Sequence, residues 1–356
     1  VEMKKAVFVD AEDPLSRAIG EISRSGLEVV VLKDGKYCGL IGDRDVRQHA
    51  VDPKTKCINA AEHAPHLMAD ATLIDMCNAF FTGRFKGLPV LSKDKVIGMV
   101  TRADVVRAIL DEKLLPKKKV SEVMSSPVVT IEEKATVANA KEMMWKNNVR
   151  RLVVTKNGML EGIISTFDLA SIGAQSREGA GMSRTGGNKF HPDMSPVSSF
   201  MRQNIETVEP DEYLAEAARK MAAKEVSALI VSDGIKPLGI VTARDLFESA
   251  LRVERKQDVF ISGLADEDKA LYSDIEKECD AMLDKLRKSF AIESMSVHVK
   301  KHGNKYSMRA RLHTGKEGVI SVSAHEWDIF AALKLILAET KREIMKHKVN
   351  KMHHND

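Results

Sequence analysis

Through the first 250 or so residues, amphipathic helical stretches alternate with short aliphatic runs in a fixed order. Residues 135–147 place Val137, Ala140, Met143 and Met144 at helical spacing, and an apolar run at 151–155 follows. Its counterparts lie at 27–32, 87–91 and 228–231. A polar turn then reverses the chain: Asp34-Gly35, Lys93-Asp94, Asn157-Gly158 or Asp233-Gly234. Asp-Gly and Asn-Gly between apolar runs predict tight hairpins, because both central residues need a positive φ. The returning strand is written four times, as Gly39-Leu40-Ile41-Gly42-Asp43-Arg44-Asp45, Gly98-Met99-Val100-Thr101-Arg102-Ala103-Asp104, Gly162-Ile163-Ile164-Ser165-Thr166-Phe167-Asp168 and Gly239-Ile240-Val241-Thr242-Ala243-Arg244-Asp245. The glycines are 59, 64 and 77 residues apart, too far for a solenoid repeat. The pattern predicts four helix-strand-strand-helix units over residues 1–54, 55–112, 118–175 and 197–252, with Pro116 and Lys117-Lys118-Lys119 marking a boundary between pairs.

The pattern changes at Asp258. A short strand at 259–263 precedes a helix over 266–290, whose stripe is Leu271, Ile275, Cys279, Met282, Leu286 and Phe290. Strands follow at 295–301, 306–314 and 319–324, and a last helix at 327–351. The order is βαβββα, an α+β domain over 258–352 with two helices on one face of a sheet. Alternation sets Val297 and Val299 against His298 and Lys300, and Met308, Ala310 and Leu312 against Arg309, Arg311 and His313. The helices need the apolar face, so the basic one is expected to stand open.

Charge sharpens that expectation. The net charge of +4 is mild, but residues 258–284 carry −7 and residues 285–356 carry +8. Lys341, Arg342, Lys346, Lys348 and Lys351 crowd the last helix. Cations near a helix C-terminus suit its dipole, which accounts for the tail but not for a basic sheet. A phosphate backbone would account for both. Hence His298, Lys300, Lys301, Lys305, Arg309, Arg311 and His313, with the five basic residues of the last helix, are the candidate RNA-binding set.

Cys38, Cys57, Cys77 and Cys279 form no CxxC or His/Cys cluster, so neither a metal site nor a disulfide framework is expected, and a reducing cytoplasm is. No window approaches 18 uncharged apolar residues, and the first ten residues do not read as a signal peptide, so no membrane partner is expected. Residues 176–196 are rich in Gly and Ser and predict a flexible insertion. Gly181-x-x-x-x-Gly186-Gly187 lacks the lysine of a phosphate-binding loop. No Cys/His nucleophile pair or metal-ligand spacing points to an enzyme.

The Gly-x-x-Thr/Ser-x-x-Asp ending reads first as a helix capping box. Together with the openings at 121–130 and 197–208, where Met124 and Met201 precede Thr130 and Thr207, it resembles the cystathionine β-synthase (CBS) domain. The resemblance implies a fold that is α/β plus α+β overall: two CBS-pair (Bateman) modules followed by the βαβββα domain. It also implies an adenine nucleotide ligand (AMP, ADP or ATP) and no other cofactor. The aspartate would take the ribose hydroxyls, and the hydroxyl residue and helix start would face phosphates, a position that suits anions. Carried onto this sequence, the nucleotide-binding candidates are Thr101, Asp104, Ser165, Asp168, Thr242 and Asp245, with Arg150 and Arg151 as further phosphate contacts.

The run Ser323-Ala324-His325-Glu326-Trp327-Asp328-Ile329-Phe330-Ala331-Ala332-Leu333, followed by a basic helix, resembles the ribosome hibernation-promoting factors. That resemblance implies a translation inhibitor on the small ribosomal subunit and its rRNA, with large-subunit contacts or a homodimer as further partners. Trp327 would either stack on RNA or pack at the helix start, and the second is the expectation. The alternative is an adenylate-sensing CBS regulator of an enzyme or transporter.

Overall fold

The structure is a computed structural model that describes residues 1–42, 52–82, 85–166, 168–169, 192–255, 258–315 and 318–352. The aspartates of the first repeat's motif (Asp43 and Asp45), Phe167 and residues 176–191 of the Gly/Ser-rich insertion lie outside the described residues.

Each repeat folds into its own three-stranded sheet, a short parallel strand beside an antiparallel hairpin. In the third repeat the strands are Thr130–Glu132, Arg151–Lys156 and Met159–Ser165. Asn157 and Gly158 both take positive φ, as the hairpin turn demands. In all four hairpins a register shift follows the residue that pairs with the repeated glycine: Val31, Val90, Val154 or Val231.

The glycine has a second, non-local reason. A Cβ on Gly162 would lie 2.8 Å from Met201 Sδ and 2.9 Å from the Arg202 carbonyl. One on Gly239 would lie 2.5 Å from Met124 Sδ and 3.0 Å from the Ser125 carbonyl. The opening segment of each repeat therefore runs across the glycine of its partner. Reciprocal backbone bridges fix the arrangement: Ile163 to Arg202 and Ser125 to Ile240 join repeats three and four, and Leu40 to Glu62 and Lys4 to Met99 join one and two. Met3, Met201 and Met124 of the opening segments fill the space left at Gly98, Gly162 and Gly239, and Ala61 lies over Gly39.

The two modules meet through repeats two and four. Helices Leu73–Thr82 and Arg102–Asp111 pack against Ala243–Arg255 and Leu214–Ala223, and one apolar core runs through all of them. Phe80 and Phe247 meet there with ring centroids 6.1 Å apart. Repeats one and three keep smaller cores of their own.

In the C-terminal part, Val259–Ser262, Ser294–His302, Lys305–His313 and Val319–Glu326 form one sheet in that order, the first pair parallel and the rest antiparallel. Helices Tyr272–Arg287 and Ile329–Met352 cover one face, over Val297, Val299, Met308, Ala310 and Leu312. The other face is not open. It lies against the helices of repeats three and four, which overturns the expectation of an exposed basic sheet. Trp327 is also corrected: it is 65% exposed, with Lys305 Nζ 4.2 Å from its ring centroid. Among the described residues no helix is long and apolar enough to cross a membrane, all four cysteines are free thiols, and no His/Cys/Asp/Glu group has metal-binding geometry.

Candidate functional site

The repeated Thr/Ser-x-x-Asp pair first closes a helix start. Thr101 N–H donates to Asp104 Oδ2 at 2.9 Å while Asp104 N–H points back at Thr101 Oγ1. Ser165 with Asp168 and Thr242 with Asp245 make the same backbone bond, at 2.9 and 2.6 Å. The second carboxylate oxygen holds an arginine in each case, from a different source. Asp104 takes Arg107 of its own helix at 2.8 Å, Asp168 takes Arg202 of the fourth repeat's opening at 2.8 Å, and Asp245 takes Arg311 of the C-terminal sheet.

These pairs surround a cavity of about 1370 Å³. All four repeats reach it, with Glu28 and Gly42 from the first, Thr101 and Arg102 from the second, Ser165 and Asp168 from the third, and Thr242 and Arg244 from the fourth. The C-terminal sheet supplies a further wall through Ser296, His298, Lys300, His302, Arg309 and Arg311. Of the nucleotide candidates, Thr101, Arg150, Arg151, Ser165, Asp168 and Thr242 line this one space. Asp104 and Asp245 do not: they are 5% and 2% exposed and lie behind the wall, committed to capping and to an arginine.

Among the described lining residues, eleven are lysine or arginine and four are carboxylates. Two of the arginines, Arg102 and Arg244, sit inside the repeated motif between its hydroxyl residue and its aspartate, a position the capping pattern alone does not single out. Arg102 lies 5.4 Å from the Phe80 ring centroid and 5.8 Å from that of Phe247, and donates to the Phe85 carbonyl at 2.8 Å. Arg244 lies 4.9 Å from the Phe81 ring centroid and donates to Phe81 O and Ser262 Oγ. Loss of water, with the neighbouring cations Arg244 and Arg151, pulls Arg102 down to about 9. Burial likewise pulls Arg244 to about 10, with Arg311 adding to the effect. Arg151, lowered by burial, donates to Ser227 Oγ at 3.1 Å and ties the third repeat to the fourth. Glu28 is a buried carboxylate pushed up by burial, and accepts the backbone N–H groups of Lys86 and Gly87 at 2.6 and 3.0 Å. A wall so rich in guanidinium groups withdrawn from water suits a ligand carrying several negative charges.

The residues expected to bind RNA divide. Arg309 donates to the Asn147 carbonyl at 3.2 Å, and Ser323 donates to the same oxygen at 3.1 Å. Arg311, with 11% of its side chain exposed, meets Asp245 and Glu248, and donates to the Val123 carbonyl at 3.2 Å. His313 Nε2 lies 3.0 Å from Glu248 Oε1. His298 Nδ1 is 3.1 Å from Ser262 Oγ and is held well below the ordinary histidine range, first by burial and then by Arg244, Arg150 and Lys300. His298, Lys300, Arg309, Arg311 and His313 therefore form an internal face, and the open RNA footprint assigned to them is corrected. Lys301 pairs with Glu267 at 3.0 Å. Lys341, Arg342 and Lys346 are exposed on the last helix, where Arg342 meets Glu339 and Lys346 meets Glu343. The side chains of Lys348 and Lys351 lie outside the described residues.

Comparison with known proteins adds the following. The CBS domain family matches at residues 1–52, 61–111, 120–174 and 197–252. MJ1404, an uncharacterized protein of Methanocaldococcus jannaschii, is 28% identical over 305 residues, 84% of this chain and 68% of its own length. That stretch is longer than the four repeats together. A second protein of that organism, MJ1225, is 23% identical over 52% of this chain and 66% of its own length. Its crystal structure, described as that of a proposed archaeal homolog of g-AMPK, superposes with a TM-score of 0.57 over 69% of this chain and 96% of that one, at 19% identity. A CBS domain pair of MJ0100, solved with 5-methylthioadenosine and S-adenosyl-L-methionine, is 25% identical over 37% of this chain and 95% of that one, with a TM-score of 0.31.

Proposed function

Because the chain belongs to the CBS domain family, with four copies between residues 1 and 252, we propose that it is an adenine-nucleotide-sensing regulatory protein that acts by binding and carries no catalysis of its own. The observation that carries this reading is the shared cavity: all four repeats and the C-terminal sheet line it, and its charged side chains are mostly cations. The third repeat offers the most complete half-site. Ser165, Thr166 and Asp168 line it together with Arg150 and Arg151, so an anion there would meet a helix start and two guanidinium groups together. Asp168 already holds an arginine through Oδ1. A ribose hydroxyl would share that carboxylate or displace Arg202.

The C-terminal domain is the output element in this reading, because it docks on repeats three and four and completes the cavity. A ligand that prefers one packing of the modules shifts how that domain is presented. The ribosome-binding reading asks more of the molecule. Arg309, Arg311 and His313 would first have to leave their partners on the CBS helices.

Isothermal titration of the full chain with AMP, ADP and ATP tests the proposal. Saturable binding is expected, weakened about ten-fold, or ~1.4 kcal/mol, by Asp168→Ala or Arg151→Ala. No saturable heat with any of the three would refute it.

A further inference from the structure

The C-terminal sheet meets the CBS array along two seams of different strength. On the fourth repeat the seam is charged and buried, with Arg311 and His313 on Asp245 and Glu248. Lys118 and Arg252 hold Glu293 beside it. On the third repeat the seam is thin. Arg309 and Ser323 donate to the carbonyl of Asn147, His325 lies 3.1 Å from that of Lys146, and His325 stacks on Trp145 at 4.4 Å. These are contacts with the last carbonyls of helix Val137–Lys146, where cations are favoured. Between the two seams lies the cavity, with Lys300 and Arg309 on its sheet wall and Arg102, Arg150 and Arg244 on its array wall. Cations thus line the cavity from both bodies, and after burial it is Arg244 and Arg150 of the array that most disfavour a proton on His298 of the sheet. Asn148 also lines the space, its buried side-chain nitrogen without a hydrogen-bond acceptor among the described residues.

Resting on the nucleotide reading above, we propose that a ligand with contiguous phosphates bridges the two bodies, meeting Arg102, Arg150 and Arg244 on the array and Lys300 and Arg309 on the sheet. Its arrival removes the repulsion between the walls and locks the sheet onto the third repeat. Without it the thin seam opens while the fourth-repeat seam holds. A triphosphate satisfies more of this wall than a monophosphate, because both sets of cations must be reached at once. The cavity exceeds the roughly 300–1,000 Å³ of an ordinary small-ligand pocket, so room is not limiting. The chemistry is shared by a nucleoside triphosphate and by free polyphosphate, and the experiment separates them.

The test measures amide hydrogen exchange on the full chain alone and with ATP, AMP or inorganic tripolyphosphate, together with titrations of wild type, Lys300→Ser and Arg309→Ser. The expected result is slower exchange at residues 145–149 and 319–326 with ATP, and about ten-fold weaker ATP binding in each variant, with AMP affinity changed less than two-fold. The same protection with tripolyphosphate would assign the bridge to phosphates alone. Protection with ATP only would assign it to the nucleotide. Equal ATP affinity in all three proteins, or faster exchange at these segments on binding, would overturn the bridge while leaving the nucleotide reading standing. If none of the three compounds binds, both fall.

Discussion

A single carboxylate shows how far the C-terminal domain is built into the array. Glu248 is 2% exposed, and burial alone would raise its pKa, yet His313, Arg311 and Arg252 hold it at about 2 against an ordinary 4.5. A lowered folded-state pKa contributes stability that is fully present above about pH 4.5 and is lost as pH falls through about 2. Replacing one member of such a buried pair costs about 3 kcal/mol. The melting temperature of Glu248→Gln should therefore lie well below that of wild type at pH 7, and the gap should close between pH 4.5 and pH 2. A gap independent of pH would contradict the assignment. The glycines give a second prediction at this scale. A Cβ on Gly39 would lie 2.6 Å from the backbone oxygen of Glu62, so Gly39→Ala should destabilise by about 1–3 kcal/mol in urea unfolding. Gly20, inside helix Leu15–Ser25 with nothing within 4 Å of its missing Cβ, should gain about 0.5–1 kcal/mol on the same change. The sequence marks the glycines by repetition alone. Their cause is long-range, since the atoms that exclude a side chain come from the partner repeat's opening.

At the scale of elements, alternation along residues 295–313 sorts the two faces of the C-terminal sheet correctly, because a strand's period is local. What covers the polar face is not local, and a basic strand has the same pattern whether it meets water, RNA or an acidic helix. A signal did exist in the helix of the fourth repeat. Asp245, Glu248 and Arg252 recur at spacings of three and four on a helix whose buried apolar residues include Leu246, Phe247, Ala250 and Leu251. Acids on the buried side of a helix need cations from elsewhere, and Arg311 and His313 supply them. Arg311→Ala should accordingly strip Asp245 of its cation, weaken the hold on Glu248 and loosen the domain from the array. Solution X-ray scattering would register this as a larger radius of gyration with helix content unchanged. An unchanged scattering profile would count against the seam.

At the scale of the whole molecule, the repeats pair one with two and three with four, and the modules join through the continuous core of repeats two and four. This junction was illegible in the sequence, because helices Leu73–Thr82 and Ala243–Arg255 belong to units with equal claim to any neighbour. The capping boxes were legible, and so was half of the candidate site: Thr101, Ser165, Asp168 and Thr242 do converge. The repeated aspartate has no uniform role, since Asp104 and Asp245 are taken up by Arg107 and Arg311 and do not line the cavity. Arg102 and Arg244 matter because folding brings two copies of one motif together on the array wall of a single cavity. The measurement that tests this account most directly is photo-cross-linking of the full chain with an azido-adenine triphosphate, followed by peptide mapping and competition with ATP. The account predicts saturable, ATP-displaceable labels confined to segments around residues 125–129, 148–151, 202–206 and 226–230 of the cavity lining. Labelling that ATP does not displace, or that falls on the outer surface of the repeats or on helix Tyr272–Arg287, would contradict it.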